Sequence, residues 1–463
     1  MAYWDQVDKP RKNKNKQKAR NYIFKRALRE DRDGGSAKPF VQVYVQDFAD
    51  MKLLWHRKGD LEARLRRETQ VAFPNHTLIF ELEAAIDLID EVFADVYTQL
   101  DALDEGEITF DLLWTCFPPL SLVTGVDSLG QQRLYRVRET KYRVHMNGER
   151  TFLLVTNHIS SNGKMTGFVS DETFQISEFR SAKPVLDLLH HPFTARPNHK
   201  QEREALIKRG DKWLQLGGRH IQEYRGHAVN GGDHAYGKFN SHGRVVLDPV
   251  TFDQVRPNNR LVPRIALSVS DFTDEHKLLV DPVLYGFSLG DKIWGGFAVS
   301  SMTDVVWDNE IIDNLVIPDD QKDFVRALVE SHLNSGFDDI VRDKGKGLVG
   351  LLSGPPGVGK TLTAEAVAEI ARRPLYMVSS GELGDTPASV QQALDEIMEL
   401  AEAWHAVVLL DEADVFLIKR DDTNLTRNAL TSIFLRQLEY YQGIILLTTN
   451  RRDSFDPAFK SFN

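Results

Sequence analysis

The sequence has almost no cysteine: Cys116 is the single one in 463 residues. One thiol cannot close an internal disulfide, so a secreted disulfide scaffold is excluded. Within LLWTCFPPL, Cys116 reads as a small buried hydrophobe rather than a reactive thiol. Long apolar runs are also missing, and none approaches the ~20 residues that span a bilayer. The opening stretch, MAYWDQVDKPRKNKNKQKAR, lacks the apolar core of a secretory signal. The expectation is a cytoplasmic or nuclear chain with no membrane partner. Histidines are present at His190, His191, His199, His220, His227, His234 and His242, but no cysteines accompany them and their spacing fits no zinc pattern. No internal repeat appears. Charge is not strongly one-sided either: the net value of −10 excludes a generic polyanion binder.

What is present is ordinary globular composition, 42% hydrophobic and 27% charged, in a chain long enough for several domains. The first 40 residues are an exception. Lys9, Arg11, Lys12, Lys14, Lys16, Lys18 and Arg20 are interleaved with Asn and Gln and show no apolar period. Residues 1–40 therefore read as a basic disordered arm. A solvated tail competes there with a nuclear-localisation or nucleic-acid role. The arm offers only Trp4, Tyr22 and Phe24 for base stacking, so nucleic acid is not expected as a partner.

Residues 41–105 read as a helical region. Ile79, Leu82, Ile86, Ile89, Phe93, Val96 and Leu100 recur at steps of three and four, which predicts an amphipathic helix from about residue 77 to 100, capped by Asn75 or Thr77. Residues 106–290 read as an α+β, β-rich domain. RLYRVRETKYRV, TFLLVTNHI, GFVSDETFQISEF and GRVVLDPVTF are short and rich in β-branched and aromatic residues. Asn147-Gly148 and Asn162-Gly163 lie between such runs and suit a turn with two positive φ angles. One helix, about 201–216 with Leu206 and Trp213, is inserted, and NGGDHAYGKFNSHG reads as a surface loop.

Residues 291–463 carry the chemistry. Gly354-Pro355-Pro356-Gly357-Val358-Gly359-Lys360-Thr361 fits the phosphate-loop pattern G-x-x-x-x-G-K-[ST]. An apolar run, Leu348 to Leu352, precedes it and suits a central parallel strand. A helix carrying Leu362, Ala366 and Ile370 follows, ended by Pro374. Glycines let backbone N–H groups wrap an anion, and the helix N-terminus faces it. Lys360 would neutralise the β and γ phosphates of ATP, and Thr361 would bring its hydroxyl to Mg²⁺.

A strand at 375–378 precedes a helix opened by Asp385 or Thr386, with Pro387 in its first turn and Val390, Leu394, Ile397 and Trp404 toward the sheet. The strand 407–410 then delivers Asp411 and Glu412 at its carboxyl end, where doubly wound sheets bind ligands. Asp411 suits the Mg²⁺ shell, and Glu412 suits activation of a water for attack on the γ-phosphate. The strand 444–447 brings Asn450 to the same end, where it would position that water.

GPPGVGKT, LLDEAD and LLTTNR, in that order, resemble the motifs of the AAA family of ATPases. FLRQLEYYQGIILLTTNR, FDPAF and LLWTCFPP are similar to the fungal members that carry an uncharacterised β-rich domain upstream. The resemblance implies an α/β P-loop NTPase fold with the phosphate-loop strand at the sheet centre. It implies that Gly354, Pro355, Pro356, Gly357, Val358, Gly359, Lys360, Thr361 and Leu362 contact nucleotide. It further implies that Thr361 and Asp411 serve the metal, that Glu412 is catalytic and that Asn450 is its sensor. Assembly into homo- or hetero-oligomeric rings with related AAA subunits, acting on an unknown protein substrate, is implied as well.

Two departures qualify the resemblance. After DPAFKS the given sequence has only Phe462 and Asn463, so the expectation is an incomplete core without the last strand, the helical lid and the arginine finger. Such an arginine is worth several orders of magnitude in rate, and Arg451 and Arg452 sit too close to Asn450 to replace it. SSGELGDTPASV also lacks the aromatic residue of polypeptide-threading members. The readings are thus an ATP hydrolase impaired in this chain, or a nucleotide-binding regulator that acts on full-length rings, with the nucleic-acid reading behind both.

Overall fold

The computed structural model describes residues 51–169, 172–230, 237–256, 263–334, 347–417 and 425–450. The basic arm, Arg451, Arg452 and the FDPAF run lie outside them. The chain forms two compact units: residues 1–125, 132–158 and 169–205 make one, and residues 126–131, 159–168 and 206–463 the other.

In the first unit, helix α1 (Met51–Gln70) is followed by α2 (His76–Val92) and α3 (Ala94–Asp101). Asn75 caps α2, its side chain accepting from the Leu78 N–H at 3.1 Å. The single helix expected to reach Leu100 is interrupted at Phe93, whose φ of −108° and ψ of 18° leave helical geometry. Burying the Phe93 ring against Trp114 accompanies the break. Four strands follow, β1 (Leu122–Val126), β2 (Gln132–Val144), β3 (Arg150–Asn157) and β4 (Glu172–Ser177), paired in that order. Their inner faces and the helices enclose Ile89, Trp114, Phe117, Tyr135, Phe152 and Leu154.

The Asn-Gly turns differ from expectation. Among the described residues only the glycines have positive φ there, +85° at Gly148 and +82° at Gly163. Between β2 and β3 the loop closes with His145 N–H to Glu149 O at 2.8 Å, one residue wider than a two-residue turn. At the second turn Asn162 instead accepts the Lys164 and Met165 N–H groups on its own side chain. Cys116 is half-buried rather than fully enclosed; burial still raises its thiol pKa.

Helix α4 (His199–Gln215) carries the chain into the second unit and buries Leu206 and Trp213. Strands β5 (His220–Asn230), β6 (Lys238–Leu247), β7 (Val283–Ser288), β8 (Ile293–Ala298) and β9 (Met302–Asp304) form an antiparallel sheet in the order β6-β7-β8-β5-β9. An added β5–β6 pairing closes four of these strands on themselves. The tight curvature needs Gly286, where a Cβ would lie 2.2 Å from the Val246 carbonyl oxygen. The presumed loop NGGDHAYGKFNSHG is therefore half strand: from Lys238 on it belongs to β6, and residues 231–236 lie outside the described set.

Helix α5 (Pro249–Val255) and helix α6 (Asp319–Asn334) precede a second sheet. That sheet consists of β10 (Leu348–Ser353), β11 (Leu375–Ser379), β12 (Val407–Asp411) and β13 (Ile444–Thr449), all parallel, in the order β10-β13-β12-β11. Helices α7 (Lys360–Ala371), α8 (Pro387–Trp404) and α10 (Leu425–Tyr440), with the short α9 (Asp414–Leu417), make the crossovers. Thr386 caps α8, accepting from the Ser389 N–H at 3.2 Å. Val390, Leu394, Ile397 and Trp404 are buried as the period requires, whereas Leu362 at the start of α7 is exposed.

Side chains alternate between the faces of this sheet. Val407, Leu409, Ile444 and Leu446 pack with Val367 and Val329 on one side. Tyr376, Val408, Leu410, Ile445 and Leu447 face the other side and share a core with Val246, Phe287 and Trp294 of the antiparallel sheet. The Trp404 ring lies 5.3 Å from Phe287 and 5.9 Å from Trp294. One interior thus serves both sheets. The phosphate-loop strand β10 is an edge among the described strands, not the centre, and its Leu351 is exposed.

Candidate functional site

Strands β10, β13 and β12 lie side by side, so their carboxyl ends bring three chain segments to one place. From β10 comes the loop Gly354 to Gly359. Its Gly357 and Gly359 have φ of +80° and +89°, the left-handed region that glycine enters without penalty. A Cβ on either would meet nothing within 4 Å, so conformation and not crowding demands glycine, and the space before the loop is open. Gly359 is the N-cap of α7 and provides no capping side chain. The first-turn N–H groups of the helix thus lack a side-chain cap, the condition in which a helix start receives an anion. Pro355, Pro356 and Val358 are exposed, and Thr361 is half-buried.

Lys360 links the loop to β13. Its Nζ donates to the carbonyl oxygens of Gly354 and Pro355, each at 3.0 Å, and to Asn450 Oδ1 at 2.7 Å. The Gly354 N–H donates to Thr449 O at 3.2 Å, which fixes the loop's base on the same strand.

From β12 come Asp411 and Glu412. Asp411 is half-buried, and its Oδ1 accepts from the Thr448 hydroxyl. Glu412 is exposed and takes a φ of +55°, a left-handed conformation that costs a non-glycine residue about 1 kcal/mol. Its N–H donates to Thr448 Oγ1 at 3.0 Å. Thr449 donates to Asp414. The two threonines, each 1% exposed, carry no role in the sequence reading, which assigns one only to Asn450. The signal available was a buried strand that ends in two hydroxyls instead of two more aliphatics.

The residues fit an ATP–Mg²⁺ ligand. Thr361 and Asp411 offer a hydroxyl and a carboxylate, the hard oxygen donors that Mg²⁺ takes alongside phosphate oxygens. No group of three metal-binding side chains occurs among the described residues, and a phosphate-shared Mg²⁺ does not require one. No helix among them is long and apolar enough to cross a membrane.

Comparison with known proteins gives two family matches. Residues 350–463 match the ATPase family associated with various cellular activities (AAA), and residues 98–197 match a domain of unknown function (DUF7025). The chain thus carries an AAA ATPase domain. It is 32% identical over 156 residues to the probable 26S proteasome regulatory subunit 6B of Caenorhabditis elegans, covering 30% of this chain and 36% of that protein. It is 32% identical over 117 residues to protein CdcH of Halobacterium salinarum, covering 24% of this chain and 16% of that one. The chain therefore spans well under half the length of either relative. A solved complex of HORMA, CdnC and Trip13 from E. coli MS115-1 matches at 23% identity, over 33% of this chain and 63% of that one, with a TM-score of 0.26.

Proposed function

We propose that this protein binds ATP at the phosphate loop, hydrolyses it in a Mg²⁺-dependent reaction, and couples the cycle to remodelling of a partner protein. The observation that carries the reading is the position of Lys360, whose ammonium lies inside the loop and 2.7 Å from Asn450, just past the end of the neighbouring strand. A γ-phosphate there would exchange the neutral acceptors of Lys360 for a charged one, which strengthens the hydrogen bond. The loop N–H groups from Gly357 to Leu362 would hold the phosphates. Thr361 and Asp411 would hold Mg²⁺, which when bound supplies Lewis-acid charge at the phosphate oxygens. Glu412 would take the proton of the attacking water, and Asn450 would orient that water.

The first relative is, by name, a subunit of the 26S proteasome. That likeness supports action of this chain beside related AAA subunits. The run FLRQLEYYQGIILLTTNR supports a place among fungal AAA proteins.

The test is binding of a fluorescent ATP analogue and steady-state hydrolysis by one purified sample, with Lys360→Ala beside it. Binding and turnover in the parent, both lost in Lys360→Ala, are expected. Binding without turnover would turn the reading to a nucleotide-dependent regulator, and no binding would overturn it.

A further inference from the structure

We infer that Thr448 is the positioning residue of this site, a hydroxyl that sets the Asp411 carboxylate and the Glu412 backbone through a single strand position; the inference rests on the ATPase reading above. Thr448 is 1% exposed and stands one step beyond the Leu410–Leu447 pair, as Asp411 does on the adjacent strand. A threonine hydroxyl has one hydrogen and two lone pairs. Here the hydrogen goes to Asp411 Oδ1, and a lone pair receives the Glu412 N–H at 3.0 Å. The Thr448 carbonyl takes the next amide, Ala413 N–H, at 3.0 Å. Three consecutive residues, Asp411, Glu412 and Ala413, are thus fixed by one residue of the adjacent strand.

This grip does two things. It orients the Asp411 carboxylate by holding Oδ1, so Oδ2 is presented in one direction. It also stabilises the left-handed backbone at Glu412, which a free chain avoids. An aliphatic residue of equal size would fill the same space and do neither. Thr449 is equally buried but hydrogen-bonds Asp414 instead, so the two hydroxyls are not interchangeable.

The test compares Thr448→Val, which keeps the shape, with Thr448→Ser, which keeps the hydroxyl, in the full chain. The main readout is the Mg²⁺ concentration that half-saturates binding of a fluorescent ATP analogue; binding in EDTA is the metal-free reference. Groups that orient a metal ligand are typically worth about 10–100-fold in metal affinity or activity. Thr448→Val is therefore expected to need at least about tenfold more Mg²⁺, with unchanged binding in EDTA and a fall in kcat rather than a rise in KM. Thr448→Ser should stay within about twofold of the parent on the same scale. In nucleotide-free protein, amide exchange of the segment 407–417 should accelerate in Thr448→Val only.

Parental Mg²⁺ dependence in Thr448→Val overturns the inference, as does equal impairment in Thr448→Ser, which would assign the effect to the methyl group. If Thr448→Val does not fold, Thr448→Ala takes its place. Failure of both to fold beside a normal Thr448→Ser would make the hydroxyl a stability element and overturn the positioning role. A parent that binds no nucleotide defeats the ATPase reading itself, whereas a binding parent with an unaltered Thr448→Val defeats the positioning role alone.

Discussion

Trp404 and Asp248 are joined by a hydrogen bond of 3.0 Å from the indole N–H to Oδ2, across 156 residues of sequence. Asp248 is fully buried, and it also accepts from Thr251 N–H at 3.0 Å, Thr251 Oγ1 at 2.8 Å and Arg219 Nε at 2.9 Å. The carboxylate thereby caps α5, closes the end of the antiparallel sheet and anchors the last turn of α8. Trp404→Phe keeps most of the ring and removes the donor. It should cost about 1.5–3 kcal/mol, the range for a hydrogen bond to a charged group. Asp248→Ala, which strands several donors at once, should cost more. Urea unfolding midpoints of the two variants check the order.

A second tie reaches the phosphate-loop helix. Glu369 on α7 receives Arg244 of β6 and the Asp308 N–H at 2.9 Å. Arg244 also reaches Glu223 at 3.2 Å and lies over the Trp307 ring at 4.4 Å. A double-mutant cycle with Arg244→Met and Glu369→Gln should give a coupling of about 1–3 kcal/mol, because the pair is mostly buried and shares one network. Additive effects in chemical denaturation would show that the pair contributes no energy of its own.

Stability should fall in mild acid. Burial pushes the His158 imidazole well below its ordinary range, and the nearby Arg133 charge adds to the effect. The folded chain therefore resists a proton that the unfolded chain accepts. The stabilisation is complete above the ordinary histidine range of about 6.5 and is lost as pH falls below it. Replacing His158→Asn should flatten the slope of stability between about pH 7 and 5 by up to roughly 1.4 kcal/mol per unit. Thermal melts across that range read the slope, and an unchanged slope would assign the acid sensitivity elsewhere.

His405 ends α8 in the left-handed conformation, with φ of +52°, and is exposed. Glycine enters that region freely and is the common helix terminator there. Because no buried contact is lost, His405→Gly should raise stability by about 0.5–1 kcal/mol. A higher melting temperature is the expected result.

The parallel sheet was legible in the sequence because each of its strands is a short apolar run, and β10, β12 and β13 are each followed by the polar residues of the candidate site. The α8 stripe and the Pro387 start were equally local. What escaped reading depended on distance. Nothing near Trp404 signals Asp248, and nothing near Glu369 signals Arg244. Thr448 and Thr449 could be read only as the approach to Asn450, because their partners, Asp411 and Asp414, come from a distant part of the sequence. The edge position of β10 is a matter of strand order, which its own residues do not encode. The Asn-Gly pairs marked the turns, but side-chain hydrogen bonds from Asn162 and a wider loop after His145 decided their geometry.

Because Phe287, Trp294, Tyr376 and Trp404 fill one interior, no slip plane separates the closed antiparallel strands from the sheet that bears the phosphate loop. A cavity opened at any one of these four rings is therefore felt in both sheets at once.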